Sequence, residues 1–361
     1  MFDIDDRILI HPVDKEILPV IKSTANYPNI RLSQLISPES WGYGGESYPC
    51  AEGAITVTHD YEKRLEECSA VWFVDSWNEL DFKQFIEPYI RLAYEKNKRI
   101  VCSRALSRSE KESLSDIEVG FVAHTLSSPV INRDSRVQEI RTPVIFVMSS
   151  TEHCNQFFVE TAFCADLRNR GYEPLLISSR KEGSVFGQCT MPSFMFDCIY
   201  TENEKVIALN HHIRRLEIER QPEVIIIGVP GAAIPYDYKY SSDFGIIAYE
   251  ISEAIKPDFA ILASPCMQYD MKFFEGIEKS VLGRLGVSVD IHTLAPYALD
   301  FTEVSFEKGL GYLSVDDDYV QDMTEKIDHS NLLNLNLMNG ISAAVDRIID
   351  KLSCSAASLV T

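Results

Sequence analysis

Pro143-Val144-Ile145-Phe146-Val147-Met148 is an unbroken apolar run. The octet Ser149-Ser150-Thr151-Glu152-His153-Cys154-Asn155-Gln156 follows it, before a helical pattern opens at Phe157. A short β-rich run without polar alternation suits a strand covered on both faces, as in the middle of a parallel sheet. The octet between strand and helix then stands where a phosphate-binding loop would stand. Backbone N–H groups and the positive end of a helix converge on an anion there. The helix is expected over Phe157–Arg170, with Gly171 placed to end it.

The same alternation extends in both directions. Downstream, strands are expected at Pro174–Ser178, Val224–Gly228, Phe259–Ser264 and Val287–His292. The helices between and after them are expected at Glu202–Arg220, Ser242–Ile255, Met271–Leu285 and Leu332–Leu352, and Thr201-Glu202-Asn203-Glu204 reads as a capping box. Upstream, strands are expected at Arg7–Ile10, Arg31–Ile36, Ala70–Val74 and Arg99–Ser103. A helix from about Lys15, helices at Asp60–Cys68 and Leu80–Asn97, and a turn-rich loop at Ser37–Gly53 separate them. The fold class is therefore α/β: two Rossmann-like three-layer domains with mostly parallel sheets, the second a degenerate P-loop domain. The expected division is a front domain at 1–125, a linker at 126–141 that includes Ser127-Ser128-Pro129, and a second domain at 142–361.

Composition narrows the function. The 361 residues carry 54 acidic and 34 basic side chains, a formal charge of −20. Such a surface repels phosphate backbones and anionic lipid, so neither nucleic acid nor a membrane is an expected partner. No apolar run reaches the length of a membrane span, and the start Met1–Pro12 lacks a secretory pattern, which leaves the cytoplasm as the expected location. Nine cysteines without a CxxC pair point to reduced, mostly buried thiols.

The octet is the first candidate site. A working phosphate loop reads G-x-x-x-x-G-K-[ST]. Here Ser149 and Cys154 stand at the glycines, Asn155 at the lysine and Gln156 at the hydroxyl residue. The outer-phosphate cation and the magnesium-binding hydroxyl are both replaced, which argues against ordinary nucleotide hydrolysis. Ser149, Ser150, Thr151, Asn155 and Gln156 remain candidates to hold an anionic group. Glu152, His153 and Cys154 place an acid, a base and a thiol side by side and are the candidate catalytic residues. The second candidate is Gly228-Val229-Pro230-Gly231-Ala232-Ala233, where Gly228 and Gly231 permit close backbone approach. The nearest acid, Asp237, lies beyond the strand end where a magnesium-linked acid would stand. The third is Arg180, a candidate for a carboxylate or phosphate, followed by the apolar Phe186, Met191, Phe194, Met195 and Phe196. In the front domain, Trp41-Gly42-Tyr43-Gly44-Gly45 follows the second strand, whereas a dinucleotide fingerprint belongs after the first. His211 and His212 diverge on one helix, and no zinc or calcium spacing occurs, so no metal ligands are assigned.

Several short motifs carry a family resemblance. They are Asp14-Lys15-Glu16, Ser37-Pro38-Glu39-Ser40-Trp41-Gly42, Phe73-Val74-Asp75-Ser76, Val144–Met148, Pro192-Ser193-Phe194-Met195, Val224–Gly231 and Phe244–Glu250. Across nearly the whole chain, this pattern resembles the peptide maturation system proteins that accompany radical-SAM maturases, an acyl-carrier-related protein and cysteine-rich ribosomal peptide precursors. The layout is also similar, more distantly, to the two-domain family that includes D-glutamate N-acetyltransferases. The first resemblance implies an accessory protein of peptide natural-product biosynthesis. It would bind a precursor peptide, a carrier protein or an anionic cofactor at the strand-end loops, with a radical-SAM maturase or the acyl-carrier-related protein as partner. A homodimer is compatible with the sequence, and no particular cofactor is indicated. Two alternatives stand beside this reading: an acyl- or phosphoryl-transferase with a divergent phosphate loop, and a non-catalytic scaffold.

Overall fold

The computed structural model describes residues 2–125, 136–237, 242–300 and 310–358. The chain forms two units, one of Met1–Ala123 with Lys181–Gly187 and one of His124–Arg180 with Gln188–Thr361. Of the expected linker, 126–135 lies outside the described residues. The segment Lys181–Gly187, which the sequence places wholly in the second domain, clusters with the first unit instead.

The first unit holds β1 (Arg7–His11), α1 (Leu18–Ser23), β2 (Arg31–Ile36), β3 (Ser47–Cys50), β4 (Gly53–Thr58), α2 (Tyr61–Leu65), β5 (Ala70–Phe73), α3 (Glu87–Glu95), β6 (Arg99–Cys102), α4 (Arg108–Ser113) and β7 (Gly120–Phe121). Its seven strands lie in the order β3-β4-β2-β1-β5-β6-β7. All neighbours run parallel except β3 and β4, which form an antiparallel hairpin at the edge. That hairpin occupies part of the expected loop Ser37–Gly53. Its half-exposed strands carry little of the apolar signal that marks the others. The expected helix Leu80–Asn97 begins as a π-helical turn at Phe82–Ile86 before α3. His11 ends β1 fully buried among Tyr61, Phe73 and Tyr89. Burial pushes its imidazole down to about 3, so it stays neutral.

The second unit holds β8 (Val144–Ser149), α5 (Gln156–Asn169), β9 (Pro174–Ser178), β10 (Cys189–Thr190), α6 (Glu202–Arg220), β11 (Val224–Gly228), α7 (Ile246–Ala254), β12 (Phe259–Ser264), α8 (Met271–Leu285), β13 (Ile291–Leu294), β14 (Tyr297–Asp300), β15 (Gly311–Ser314), α9 (Asp317–Lys326) and α10 (Met338–Ser358). The main sheet is wholly parallel, in the order β10-β9-β11-β8-β12-β13. β14 and β15 form a separate hairpin.

The central strands read as apolar throughout because each serves two cores. Val144, Phe146 and Met148 of β8 face α6, α7 and α8, where Leu209, Ile213, Ile251, Ile277 and Val281 are buried. Ile145 and Val147 face α5 and α10, against Phe158, Ala162, Phe163, Ile341 and Val345. β11 and β12 alternate in the same way. The capping box expected at Thr201 and Glu204 is present at the start of α6. Asp317 and Asp318 lie in the first turn of α9, where acidic side chains favour the positive helix end. Among the described residues, no helix is long and apolar enough to cross a membrane.

Candidate functional site

β8 sits between β11 and β12. The chain leaves it toward β9 on one side and later returns from β11 to β12 on the other. Ligands in open parallel sheets bind beyond the carboxyl ends of strands at such a reversal. A cavity of about 360 Å³ lies there. Ser150 and Thr151 line it from the loop after β8, Ile234, Pro235 and Tyr236 from the loop after β11, and Pro265 and Tyr269 from the segment after β12. Lys272, Phe273, Gly276, Ile277 and Ser280 of α8 complete the wall. Tyr269 and Phe273 stack with ring centroids 3.7 Å apart and form the aromatic part of the wall. Lys272 supplies a positive charge beside this apolar surface.

The octet after β8 is held by the protein's own groups. The single hydroxyl proton of Ser149 Oγ is shared between Gly231 O, at 3.0 Å, and Gln156 Oε1, while Gln156 Nε2 donates to Val229 O. Ser149 and Gln156 are thus brought together with Gly231, but as a brace between the first and second candidate loops. Gly231 takes a φ of +69°, the left-handed conformation glycine tolerates at such a turn. Asn155, at the lysine position, is buried and donates through Nδ2 to Asn336 Oδ1 at 2.8 Å. Asn336 in turn donates to Leu294 O at 2.7 Å. The side chain at the lysine position is therefore engaged inside the protein.

Cys154 is buried with its sulfur 3.1 Å from Thr151 Oγ1. Burial pushes the thiol up to about 12, which keeps it protonated at neutral pH. Glu152 and His153 sit on the outer side of the loop, with His153 Nε2 4.0 Å from Glu152 Oε2 and its ring edge against Tyr312. Acid and base therefore lie together, whereas the thiol points into the core.

Arg180 and Gly228 converge on a residue that the sequence does not single out. Glu160 of α5 is completely buried; its Oε1 accepts from Ser178 Oγ and, at 3.0 Å, from Ser179 N–H. Among the described residues its Oε2 has no hydrogen-bond partner, and it faces Gly228. A Cβ at Gly228 would stand 1.6 Å from that oxygen and 2.7 Å from Ser179 N. Glycine at the end of β11 thus makes room for a buried carboxyl, at the position where a nucleotide hydrolase carries its acid. Burial pushes Glu160 up to about 8, against the opposing pull of hydrogen bonding from Ser178 and Ser179 and of the Arg180 charge. Asp237 is exposed at the far end of the β11 loop. Of the apolar residues after Arg180, Met191, Phe194 and Met195 pack into the core. Glu160, Tyr269, Lys272 and Asn336 carry no local signal in the sequence because the groups they meet are distant in the chain: Gly228 for Glu160, the loop after β8 for Tyr269 and Lys272, and Asn155 for Asn336.

No family model matches this chain, and no curated protein does. Among solved structures, a DUF1611 family protein from Anabaena variabilis ATCC 29413 matches 96% of this chain and 100% of its own, with a TM-score of 0.60 at 11% identity. The fold is that of a DUF1611 family protein. Chloroplast FtsY from Physcomitrella patens matches 55% of this chain and 70% of its own (TM-score 0.30, 11% identity). A type C pseudomurein peptide ligase from Methanothermus fervidus matches 91% and 48% (TM-score 0.24, 7% identity).

Proposed function

We propose that the protein is an accessory factor of peptide maturation that holds a segment of precursor peptide in the cavity between the β8, β11 and β12 loops. The cavity carries this reading. Its stacked Tyr269 and Phe273, with Ile234, Pro235 and Ile277, offer an apolar seat, and Lys272 suits a carboxylate from the same ligand. A volume near 360 Å³ accommodates one or two side chains of a peptide. The neighbouring loop favours binding over phosphoryl transfer, since Asn155 brings no cation and Gly228 brings no acid. The peptide-maturation assignment rests on the sequence resemblance, and the maturase or acyl-carrier-related protein would then act on the peptide so held.

Calorimetry tests the reading, with ATP, GTP, acetyl-CoA and a cysteine-rich precursor peptide titrated separately onto the full chain. Saturable binding of the peptide is expected, at least about tenfold weaker in Tyr269→Ala, because truncating a buried aromatic anchor costs more than about 1.4 kcal/mol. Nucleotide binding abolished by Glu152→Ala/Asn155→Ala, with no binding of peptide, would replace it with the transferase reading.

A further inference from the structure

Three metal-type donors that the cavity does not use meet on the flank of the second unit. Glu278 comes from the middle of α8, His292 from β13 and His329 from the segment after α9. One ligand atom from each lies within 4.8 Å of the others. His292 Nε2 is 2.9 Å, and His329 Nε2 3.9 Å, from the same atom, Glu278 Oε1. The rings stand at 84° to each other with centroids 5.2 Å apart, and Phe274 packs against both. His292 is 1% exposed, and its Nδ1 has no hydrogen-bond partner among the described residues.

We propose that Glu278, His292 and His329 form a binding site for a borderline divalent transition-metal ion, zinc in the first instance. Two imidazoles and one carboxylate are the donor set of three-ligand zinc sites, while calcium and magnesium take oxygen ligands. Ligands of a tetrahedral zinc ion stand about 3.3 Å apart, given zinc–nitrogen bonds of about 2.0–2.1 Å. The spacings of 2.9 and 3.9 Å to Glu278 bracket that value. Small movements of two side chains would therefore close the site. Glu278 and His329 are partly exposed, which gives the ion an entry path and leaves the fourth position to water.

Proton positions make the proposal specific. His292 Nε2 lies 2.9 Å from Glu278 Oε1, a contact that needs the proton on Nε2 because a carboxylate only accepts, and His329 Nδ1 accepts from Asn331 N–H at 3.2 Å, which puts the proton of that neutral ring on Nε2 as well. Metal at Nε2 requires each neutral ring to carry its proton on Nδ1. The Asn331 contact must then open, while Glu278 exchanges its one N–H partner, His292 Nε2, for the ion. The ion would join α8, β13 and the chain after α9.

The test is a titration of zinc chloride, and separately of cobalt(II), onto the full chain carrying Cys198→Ser, which removes an exposed thiol. Expected are one equivalent bound per chain, a cobalt spectrum without thiolate charge transfer, and a shift of the His329 ring signals to the Nδ1–H tautomer. Glu278→Gln and His329→Gln should each weaken binding by about 100-fold or more, since even outer-shell partners of such ligands are worth 10–100-fold. His211→Gln on α6 should leave it unchanged. Folding of each variant is checked by its far-UV spectrum, and the partly exposed His329 keeps the test available if Glu278→Gln misfolds. No saturable binding, or equal binding in both ligand variants and the parent, would overturn the proposal and leave the trio as a hydrogen-bonded cluster.

Discussion

Replacing Glu160 with glutamine should change the pH dependence of stability in a defined direction. The native carboxyl is pushed up to about 8, while the ordinary value is 4.5. Above pH 4.5 the unfolded chain therefore releases a proton that the folded chain keeps, so Glu160 costs stability as pH rises. That cost levels off once the native group ionises near pH 8. At about 1.4 kcal/mol per pH unit, the wild type should lose roughly 3–4 kcal/mol from this group between pH 5 and pH 8. Glutamine retains an oxygen for Ser178 and Ser179 and does not titrate. Its amide facing Gly228 adds a fixed cost of about 1–3 kcal/mol, the same at both pH values. The observable is thus the difference of differences. Glu160→Gln should be less stable than wild type at pH 5, or equal to it, and should gain roughly 3–4 kcal/mol on it by pH 8. Urea unfolding of both proteins at the two pH values measures this, and the comparison cancels His11 and every other titrating group. An offset that is the same at pH 5 and pH 8 would show Glu160 ionised in the fold and refute the reasoning.

The same pocket makes a second prediction. Gly228→Ala meets Ser179 N as well as Glu160, so it should destabilise the second unit by about 3 kcal/mol or more. Adding Glu160→Ala should recover only part of that loss in the same unfolding assay. Iodoacetamide at pH 8, followed by peptide mass mapping, should label exposed Cys198 first and Cys154 only as the protein unfolds. Rapid labelling of Cys154 in the folded protein would restore it as a nucleophile. Asn336→Ala leaves Asn155 Nδ2 and Leu294 O without their partner and should cost about 1–3 kcal/mol, read as a lower thermal midpoint.

The parallel core is plain in the sequence because strands flanked by helices on both faces have nowhere to place a polar residue. Pro174–Ser178, Val224–Gly228 and Phe259–Ser264 coincide with their strands for that reason. Where the signal is carried by one half-buried face, it fades. The β3–β4 edge hairpin and α9 escape notice, and the edge strand β13 of the second sheet forms at Ile291–Leu294 rather than from Val287. α10 starts at Met338, after a run from Leu332 that the asparagines Asn334 and Asn336 pin through side-chain hydrogen bonds. At the site, the octet's position between strand and helix is legible, since local order decides it. Where its side chains point is not. Asn155 turns to Asn336, Gly228 yields to Glu160, and the cavity wall comes from α8, contacts that no local spacing encodes.

The central claim is that the cavity beside Ser150 and Thr151 receives peptide. Hydrogen–deuterium exchange of the full chain, with and without a saturating cysteine-rich precursor peptide, tests it most directly. The account predicts slower exchange at 234–237 and 265–280, lost in Tyr269→Ala. Protection confined to 149–156, or absent from the second unit altogether, would contradict it.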